Sequence, residues 1–121
     1  MNIIIIAQNK TFRESLKTTL DQIQDFEVVF DSDNFYSIEN PGQHEIQLIL
    51  IDFSISKEKC INIITDALSL WHSVRFLFMI NYKEEIPPNF SNTVEVIHKN
   101  ASKQEFENKI KELTKDEKVV G

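Results

Sequence analysis

The side chains in this sequence that could do chemistry follow its apolar runs. Asp52 comes directly after the run LILI, and Lys99 comes directly after VEVIH. Gln8 and Asn81 follow two further apolar runs and carry only neutral amides. An aspartate and a lysine can form a structural ion pair. Alternatively, the aspartate can accept a phosphoryl group while the lysine neutralises the negative charge of that group. A lone aspartate at such a position is most often structural, so both interpretations stay open for Asp52.

Residue counts exclude several kinds of site. The chain has only two glycines, Gly42 and Gly121, which excludes the glycine-rich loops that bind phosphates. The three histidines and the single Cys60 do not have the spacing typical of zinc ligands. No serine–histidine–aspartate or cysteine–histidine arrangement is recognisable. The sequence therefore offers no catalytic motif.

Charge and hydropathy restrict the partners and the location. The chain has 13 Lys and Arg residues against 19 Asp and Glu, a net charge of −6. Because nucleic-acid binding depends on phosphate neutralisation, we expect no direct nucleic-acid binding by this domain. The apolar run IIII near the start is too short for a signal-peptide core or a membrane span, so we expect no membrane association. Cys60 cannot form an internal disulfide, which suits the cytoplasmic location that we expect.

Apolar runs alternate with segments of helical period along the chain. We predict five strands, at 2–7, 26–30, 46–52, 74–80 and 94–98. The segments between them predict a helix from Thr11, a short helix over 34–38, a helix over 57–71 and a last helix from Ser102.

Capping patterns and an apolar stripe refine the helix predictions. Thr11 with Glu14, and Ser102 with Glu105, have the spacing of a capping box, in which a hydroxyl and a carboxylate satisfy free backbone N–H groups. On the helix over 57–71 we predict one buried face. Its members are Ile61, Ile64, Leu68 and Trp71. We assign the aromatic side chains Phe76, Phe78 and Phe106 to the core as well.

This order of elements predicts an α/β fold with a doubly wound, five-stranded parallel sheet that is covered on both faces. We expect 1–121 to form a single domain, with 114–121 as a charged tail or the start of a linker. Residues 81–93 contain Pro87 and Pro88 and little helical periodicity. We therefore expect the fourth crossover helix to be short or missing, which would leave the fifth strand as a half-exposed edge.

The chain resembles the receiver domains of bacterial two-component response regulators, above all those joined to helix-turn-helix DNA-binding domains. The resemblance covers essentially the whole chain and depends on the order and spacing of several segments. These are Phe12-Arg13-Glu14, Phe26-Glu27-Val28-Val29, Leu48–Ser54 and Lys99-Asn100-Ala101-Ser102. The resemblance implies a flavodoxin-like receiver fold, in which functional groups collect at the carboxyl ends of the strands.

The resemblance also implies positions for a phosphorylation site. In that family an acidic pair after the first strand and an aspartate after the third bind Mg²⁺, and the aspartate accepts a phosphoryl group. A Ser or Thr after the fourth strand acts as a switch, and a lysine after the fifth contacts the phosphate. The matching residues are Asp52 at the phosphoacceptor position, Lys99 at the lysine position, Ala7 and Gln8 at the acidic pair, and Ile80 or Asn81 at the switch position.

Substitutions at these positions determine the functional prediction. Mg²⁺ requires hard oxygen ligands, and Ala7 and Gln8 remove two of the three carboxylates. We therefore expect no Mg²⁺ cofactor, no other metal and no ordinary phosphorylation, and we expect Asp52 and Lys99 to pair with each other. Asn81 could replace the switch hydroxyl as a donor, although capping a turn is the simpler role.

We therefore expect an atypical receiver domain, not an enzyme, that acts in phosphorelay signal transduction and transcription regulation through protein–protein contacts. Its fifth strand and last helix would dock an output domain, another partner or a second copy in a homodimer, and the resemblance implies a histidine kinase as a further partner. One alternative is a conventional receiver of a transcriptional response regulator, phosphorylated at Asp52. The other, from a different class, is a small flavodoxin-like enzyme or nucleotide-binding module.

Overall fold

The computed structural model describes residues 1–81 and 94–114, which form one sheet and three α-helices. The strands are β1 (Asn2–Ile6), β2 (Glu27–Ser32), β3 (Leu48–Asp52), β4 (Arg75–Ile80) and β5 (Val94–His98). The α-helices are α1 (Lys10–Asp21), α2 (Lys57–Leu70) and α3 (Lys103–Thr114). None of the helices in this part of the chain is both long and apolar enough to cross a membrane.

All five strands are parallel and lie in the order β2-β1-β3-β4-β5, which confirms the predicted doubly wound sheet. Apart from Asn2 and Asp52 at their ends, β1 and β3 consist of isoleucine and leucine residues that are buried, as a parallel sheet between two layers requires. Register pairs Ile6 with Ile51, Asp52 with Met79, and Ile80 with His98. The carboxyl ends of β1, β3, β4 and β5 therefore meet at one edge of the sheet.

Two layers cover the sheet, and they differ in construction. One layer, here called the α1–α3 layer, packs Leu16 and Leu20 of α1 and Phe106 and Ile110 of α3 onto one sheet face. The other, here called the α2 layer, is formed by α2 and by the connection from β2 to β3. Its buried residues outside the strands are Phe35, Ile38, Ile46, Phe53, Ile55, Cys60, Ile63, Ala67, Trp71 and Val74.

The connection from β2 to β3 is described throughout, and it contains no α-helix. The short helix predicted over 34–38 is a single 3₁₀ turn, Phe35–Ser37, in which the Tyr36 N–H donates to the Asn34 side chain at 3.0 Å. A second 3₁₀ turn spans Pro41–Gln43. The loop is fixed to the end of α2 because the Trp71 indole N–H donates to the His44 carbonyl at 2.6 Å. The connection from β2 to β3 therefore covers the sheet with short 3₁₀ turns and not with an α-helix.

One predicted helix cap is wrong, and one predicted helix face is only partly right. Helix α1 begins at Lys10 and is capped by Asn9, whose side chain accepts the Phe12 N–H at 2.9 Å; Thr11 already lies inside the helix and forms no capping box. The face of α2 that is most deeply buried consists of Cys60, Ile63 and Ala67. Of the predicted stripe, only Trp71 is fully buried, while Ile64 and Leu68 are half-buried and Ile61 is exposed.

Other boundaries agree with the prediction or extend it. The Ser102–Glu105 capping box is confirmed, with both reciprocal hydrogen bonds at 3.1 Å. Strand β5 lies at the end of the sheet order with alternating exposure, as expected for an edge. Thr114, assigned above to the tail, is the buried last residue of α3. The fourth crossover and the rest of the tail fall on 82–93 and 115–121, outside the described residues, and stay predictions.

Candidate functional site

The carboxyl edge of the sheet holds a buried ion pair. The Lys99 ammonium lies 2.7 Å from Oδ1 of Asp52, which confirms the predicted contact. The Asp52 side chain is 5% exposed and that of Lys99 is 20% exposed. The same Oδ1 accepts the Ser54 backbone N–H at 3.0 Å. Burial removes the screening of water, so each charge in this pair depends on the other.

Backbone hydrogen bonds hold the two partners at this edge. The Phe53 N–H, directly after Asp52, donates to the Met79 carbonyl, and the Lys99 N–H donates to the Ile80 carbonyl. The Lys99 ammonium also lies 5.9 Å from the centre of the Phe12 ring, which comes from the first turn of α1. A cation this close to an aromatic ring is attracted by it. Lys99 is therefore positioned by contacts with β3, β4 and α1.

The two residues at the acidic-pair position point to different surroundings. Ala7 is fully buried in the core of the α1–α3 layer, whereas Gln8 is exposed. The Ala7 carbonyl accepts a hydrogen bond from Nη1 of Arg13 at 2.7 Å. Neither residue brings a charge to the carboxyl edge of β1.

A second charge cluster, which the sequence patterns did not predict, involves Asp31, Arg13 and Lys17. Nε of Arg13 is 3.2 Å from Oδ2 of Asp31 at the end of β2, and the Lys17 ammonium is 3.6 Å from Oδ1 of the same residue. Arg13 thus connects α1 to both β1 and β2. The sequence signal was weak, since it consisted of an arginine in the first turns of α1 and an aspartate at a strand end.

The side chains present do not fit a Mg²⁺ site. Oδ1 of Asp52 is engaged by Lys99 and Ser54, and Asp31 is engaged by Arg13 and Lys17. Within residues 1–81 and 94–114, no group of three or more His, Cys, Asp or Glu side chains could hold a metal ion. Magnesium prefers several hard oxygen ligands in octahedral geometry, and this edge offers one buried carboxylate that is already neutralised.

The two residues predicted at the switch position, Ile80 and Asn81, have an apolar and an amide side chain. Ile80 is half-buried against the core of the α2 layer, and Asn81 is exposed directly after β4. Neither residue has a hydroxyl group. The predicted cap role of Asn81 stays a prediction.

Cys60 lies in the core below Asp52. It is fully buried, and its Sγ is 3.7 Å from the Ile55 carbonyl. Burial raises the pKa of the Cys60 thiol to about 11, and the negative charge of Asp52 adds to the effect. A thiol with such a pKa is protonated near neutral pH and is a poor nucleophile. Cys60 therefore belongs to the core.

Comparison with known proteins identifies the fold. No protein-family model matches the sequence, and no curated protein matches it. Among solved structures, the response regulatory domain of MrkE from Klebsiella pneumoniae is similar with a TM-score of 0.75, 17% identity and coverage of 96% of this chain and 97% of that chain. A two-component transcriptional regulator AraC from Clostridium phytofermentans has a TM-score of 0.73, 17% identity and coverage of 95% and 92%.

The response regulator domain of CheB from Thermotoga maritima is also similar, with a TM-score of 0.69 and 15% identity over 95% of this chain and 96% of that chain. At such low identity the likeness shows the fold alone. The chain has the flavodoxin-like fold found in receiver domains, with its ion pair at the carboxyl edge of the sheet.

Proposed function

We propose that this chain is an atypical receiver domain that transmits signals through protein–protein contacts and is not phosphorylated by the ordinary Mg²⁺-dependent route. The fold it shares with response regulator domains supports a place in signal transduction. The observation that carries the finer proposal is the closed pair of Asp52 and Lys99. It lies beside Ala7 and Gln8, which carry no charge.

The chemistry of phosphoryl transfer explains why the pair matters. A carboxylate can attack a phosphoryl group only when the negative charge that accumulates is neutralised by a metal or by free cations. Here the ammonium of Lys99 is bound to the attacking carboxylate itself. Breaking that contact would leave a buried charge unpaired. Because Ala7 and Gln8 supply no carboxylate to hold a metal beside this pair, the arrangement favours a paired Asp52 over an acceptor.

Incubation with acetyl phosphate and Mg²⁺, followed by intact-mass measurement, tests this proposal. We expect no added phosphoryl mass in the native chain, under conditions in which a conventional receiver domain is modified. The matched control is Asp52→Asn. A phosphoryl adduct that forms on the native chain and is absent from Asp52→Asn would establish the conventional alternative, with Asp52 as the acceptor.

The proposed docking surface consists of β5 and the outer face of α3. Along β5, Val94 and Ile97 are buried whereas Glu95 is exposed at the edge of the sheet. The outer face of α3 is charged and includes the pair Lys111–Glu107 at 2.6 Å. Charged surfaces of this kind determine which partner binds more than how tightly it binds. An output domain, a separate protein and a second copy are the candidate partners.

Sedimentation velocity over a range of concentrations tests the second copy as partner. If the docking surface forms a homodimer, we expect association that Glu95→Arg weakens strongly. Glu14→Arg, which reverses an exposed charge on α1, is the matched control and should leave association unchanged. A strictly monomeric native chain would remove the homodimer and leave an output domain or another protein as partner.

A thermal-shift screen with nucleotides and flavins tests the alternative from another class. We expect no stabilisation, since the chain lacks glycine-rich phosphate loops. Stabilisation by a flavin or nucleotide at micromolar concentration would favour the enzyme or nucleotide-binding module instead.

A further inference from the structure

A cleft of about 320 Å³ lies at the surface of the α2 layer, between the connection from β2 to β3 and the last turns of α2. Tyr36 and Pro41 of the connection and Asp66 and Leu70 of α2 are among the residues that line it. No residue of β5 or α3 takes part in this lining. The cleft is therefore separate from the docking surface proposed above, on the other layer of the molecule.

Part of the lining is apolar and accessible to a partner. Three large hydrophobic side chains are exposed in the described residues, and two of them, Tyr36 at 56% and Leu70 at 41%, line this cleft. Pro41 beside them is half-buried. Exposed apolar side chains are ordinary when they are scattered singly, but these share one concave surface. An apolar side chain placed against them would remove both from water, which favours binding.

The walls of the cleft are held in place by contacts within the α2 layer. The Tyr36 hydroxyl donates to Oδ2 of Asp66 at 2.5 Å, so the connection and the helix are joined across the cleft. The Tyr36 ring packs edge-on against Phe35, which also lines the cleft, at 5.3 Å. A partner would therefore meet a formed surface and would lose little affinity to ordering it.

The charge around the cleft is negative. Asp66 is the one charged side chain in the lining, and it has no ion pair within residues 1–81 and 94–114. Asp33 and Glu39, on the connection, are exposed acidic residues. Between Lys17 and Lys57 the sequence contains no lysine or arginine. The connection that forms one wall of the cleft therefore brings negative charge without lysine or arginine to balance it.

The end of α2 adds to this negative potential. Its two lysines, Lys57 and Lys59, lie in the first turn, and its last turn contains no basic residue. Leu70, the last residue of the helix, lines the cleft. The free carbonyl groups at a helix C-terminus carry partial negative charge and attract cations. Within α2, no basic side chain near the cleft offsets that charge.

We propose that this cleft docks a basic segment of another protein that presents a large apolar side chain. The apolar side chain covers Tyr36 and Leu70, and a lysine or arginine beside it pairs with Asp66. Charge complementarity selects this partner, because nucleic acids and anionic membranes have the same sign of charge as the cleft. A second copy of this chain, with a net charge of −6, is disfavoured for the same reason. The domain would then have a docking site on each of its two layers.

Titration of the ¹⁵N-labelled chain with three synthetic peptides, followed by amide chemical shifts, tests the proposal. The first is an amphipathic helical peptide of about 15 residues built from leucine, lysine and alanine. The second has glutamate in place of lysine, and the third has serine in place of leucine. We expect saturable shifts at Tyr36, Asp66 and Leu70 with the first peptide. The other two should bind roughly tenfold more weakly or worse, because each lacks one of the two complementary features.

Substitutions then locate the site. Leu70→Gln should weaken binding of the lysine peptide roughly tenfold, and Asp66→Asn, whose amide oxygen can still accept the Tyr36 hydroxyl, about two- to fivefold. Ile61→Gln is the matched apolar control, since Ile61 is 42% exposed on the same helix and does not line the cleft. Glu58→Gln is the matched charge control, on the first turn of α2. All four side chains are exposed, so the variants should fold.

Several results would overturn the proposal. These are a lysine peptide that gives no saturable shifts at millimolar concentration, a glutamate peptide that binds as tightly, shifts that concentrate on β5 and α3, and equal effects of Leu70→Gln and Ile61→Gln. Sedimentation velocity of the native chain adds one more. If the chain dimerises and Leu70→Gln dissociates the dimer, a second copy occupies the cleft in place of a basic partner.

Discussion

The two layers that cover the sheet solve the same packing problem in different ways. The α1–α3 layer uses two regular helices, each with a side-chain cap, and it holds Lys99 over Phe12 and Ala7 in its core. The α2 layer uses one helix and two 3₁₀ turns. The three large hydrophobic side chains that are exposed in the described residues all belong to the α2 layer; these are Tyr36 at 56%, Ile61 at 42% and Leu70 at 41%.

The two layers also differ in what they place beside the sheet: one contains a buried ion pair and the other contains open clefts. On the α1–α3 side, Phe12 of α1 lies beside Lys99, and the Asp52 carboxylate that Lys99 binds is buried. Short turns cannot close over the sheet in the same way, so the α2 layer keeps clefts beside Tyr36. The Asp52–Lys99 pair and the clefts are therefore associated with different layers, and the following predictions compare features of the two layers.

The largest effect is expected from the buried pair. Lys99→Met leaves Asp52 charged, buried and unpaired, and we expect the free energy of unfolding to fall by about 3–5 kcal/mol. Lys17→Met removes a cation from the more exposed Asp31, which keeps Arg13, and should cost about 0–1 kcal/mol. Urea denaturation measures both values.

A double variant checks the cause of that loss. Adding Asp52→Asn to Lys99→Met removes the orphaned charge and should restore part of the stability. If Lys99→Met and Lys17→Met destabilise equally, burial of Asp52 does not make its pair with Lys99 more important than the more exposed Asp31–Lys17 pair.

The second effect compares core residues of the two layers. Leu20→Ala in α1 creates a cavity beneath a regular helix, and we expect a loss of about 3–5 kcal/mol. Ile38→Ala lies beside a 3₁₀ turn that can collapse into the space, so the loss should be nearer about 2 kcal/mol. Chemical denaturation decides between them, and equal losses would show that the turns pack as rigidly as the helices.

A third, smaller effect concerns the caps. Ser102→Ala removes an N-cap from a helix of 12 residues and should cost about 1 kcal/mol. Asn34→Ala removes the cap of a three-residue turn, and we expect a smaller loss but faster amide hydrogen exchange at Tyr36. If amide exchange at Tyr36 stays slow in the Asn34→Ala chain, the 3₁₀ turn is not less stable than the helices of the α1–α3 layer.

The smallest effect on stability is expected from the phenol of Tyr36. Partial burial and its hydrogen bond to Asp66 raise the pKa of Tyr36 to about 12. The phenol is neutral when protonated, so its contribution to stability is present below the ordinary tyrosine pKa of about 10 and is lost as pH rises from there through 12. Spectrophotometric titration of the native chain should show a tyrosine that ionises near pH 12, and this step should be absent from the Tyr36→Phe variant. In Asp66→Asn the pKa should move back toward its ordinary value, and an unchanged titration would remove Asp66 as a cause.

Sequence patterns predicted the sheet well because its strands are continuous apolar runs. Val94–His98 was predicted with its correct bounds, and the other strands were displaced by only one or two residues at an end. Helix faces were harder to predict. On α2 the residues nearest the sheet include Cys60 and Ala67, which are small enough for close approach, whereas hydropathy favoured the bulkier Ile61 and Ile64. The predicted face was therefore rotated by about one residue, roughly 100° on a helix.

The candidate site was predictable only where strand ends determine it. Asp52 and Lys99 end strands of one parallel sheet, so their contact followed from the fold. The contact of Arg13 with Asp31 depends on the rotation of α1 relative to β2, which local patterns do not contain. A cleft beside Tyr36 is lined in part by a 3₁₀ turn where the sequence predicts a short helix, and segment 34–38 is compatible with either.

The chain has one tryptophan, and its position makes it an optical probe of a single layer. Trp71 is buried in the α2 layer, edge-on to Phe35 at 6.3 Å, with its indole N–H bound to a carbonyl of the β2–β3 connection. Phe35 in turn lines the cleft. Intrinsic fluorescence of the unmodified protein therefore records the polarity and rigidity of the turn-built side of the sheet, free of any indole emission from α1 or α3.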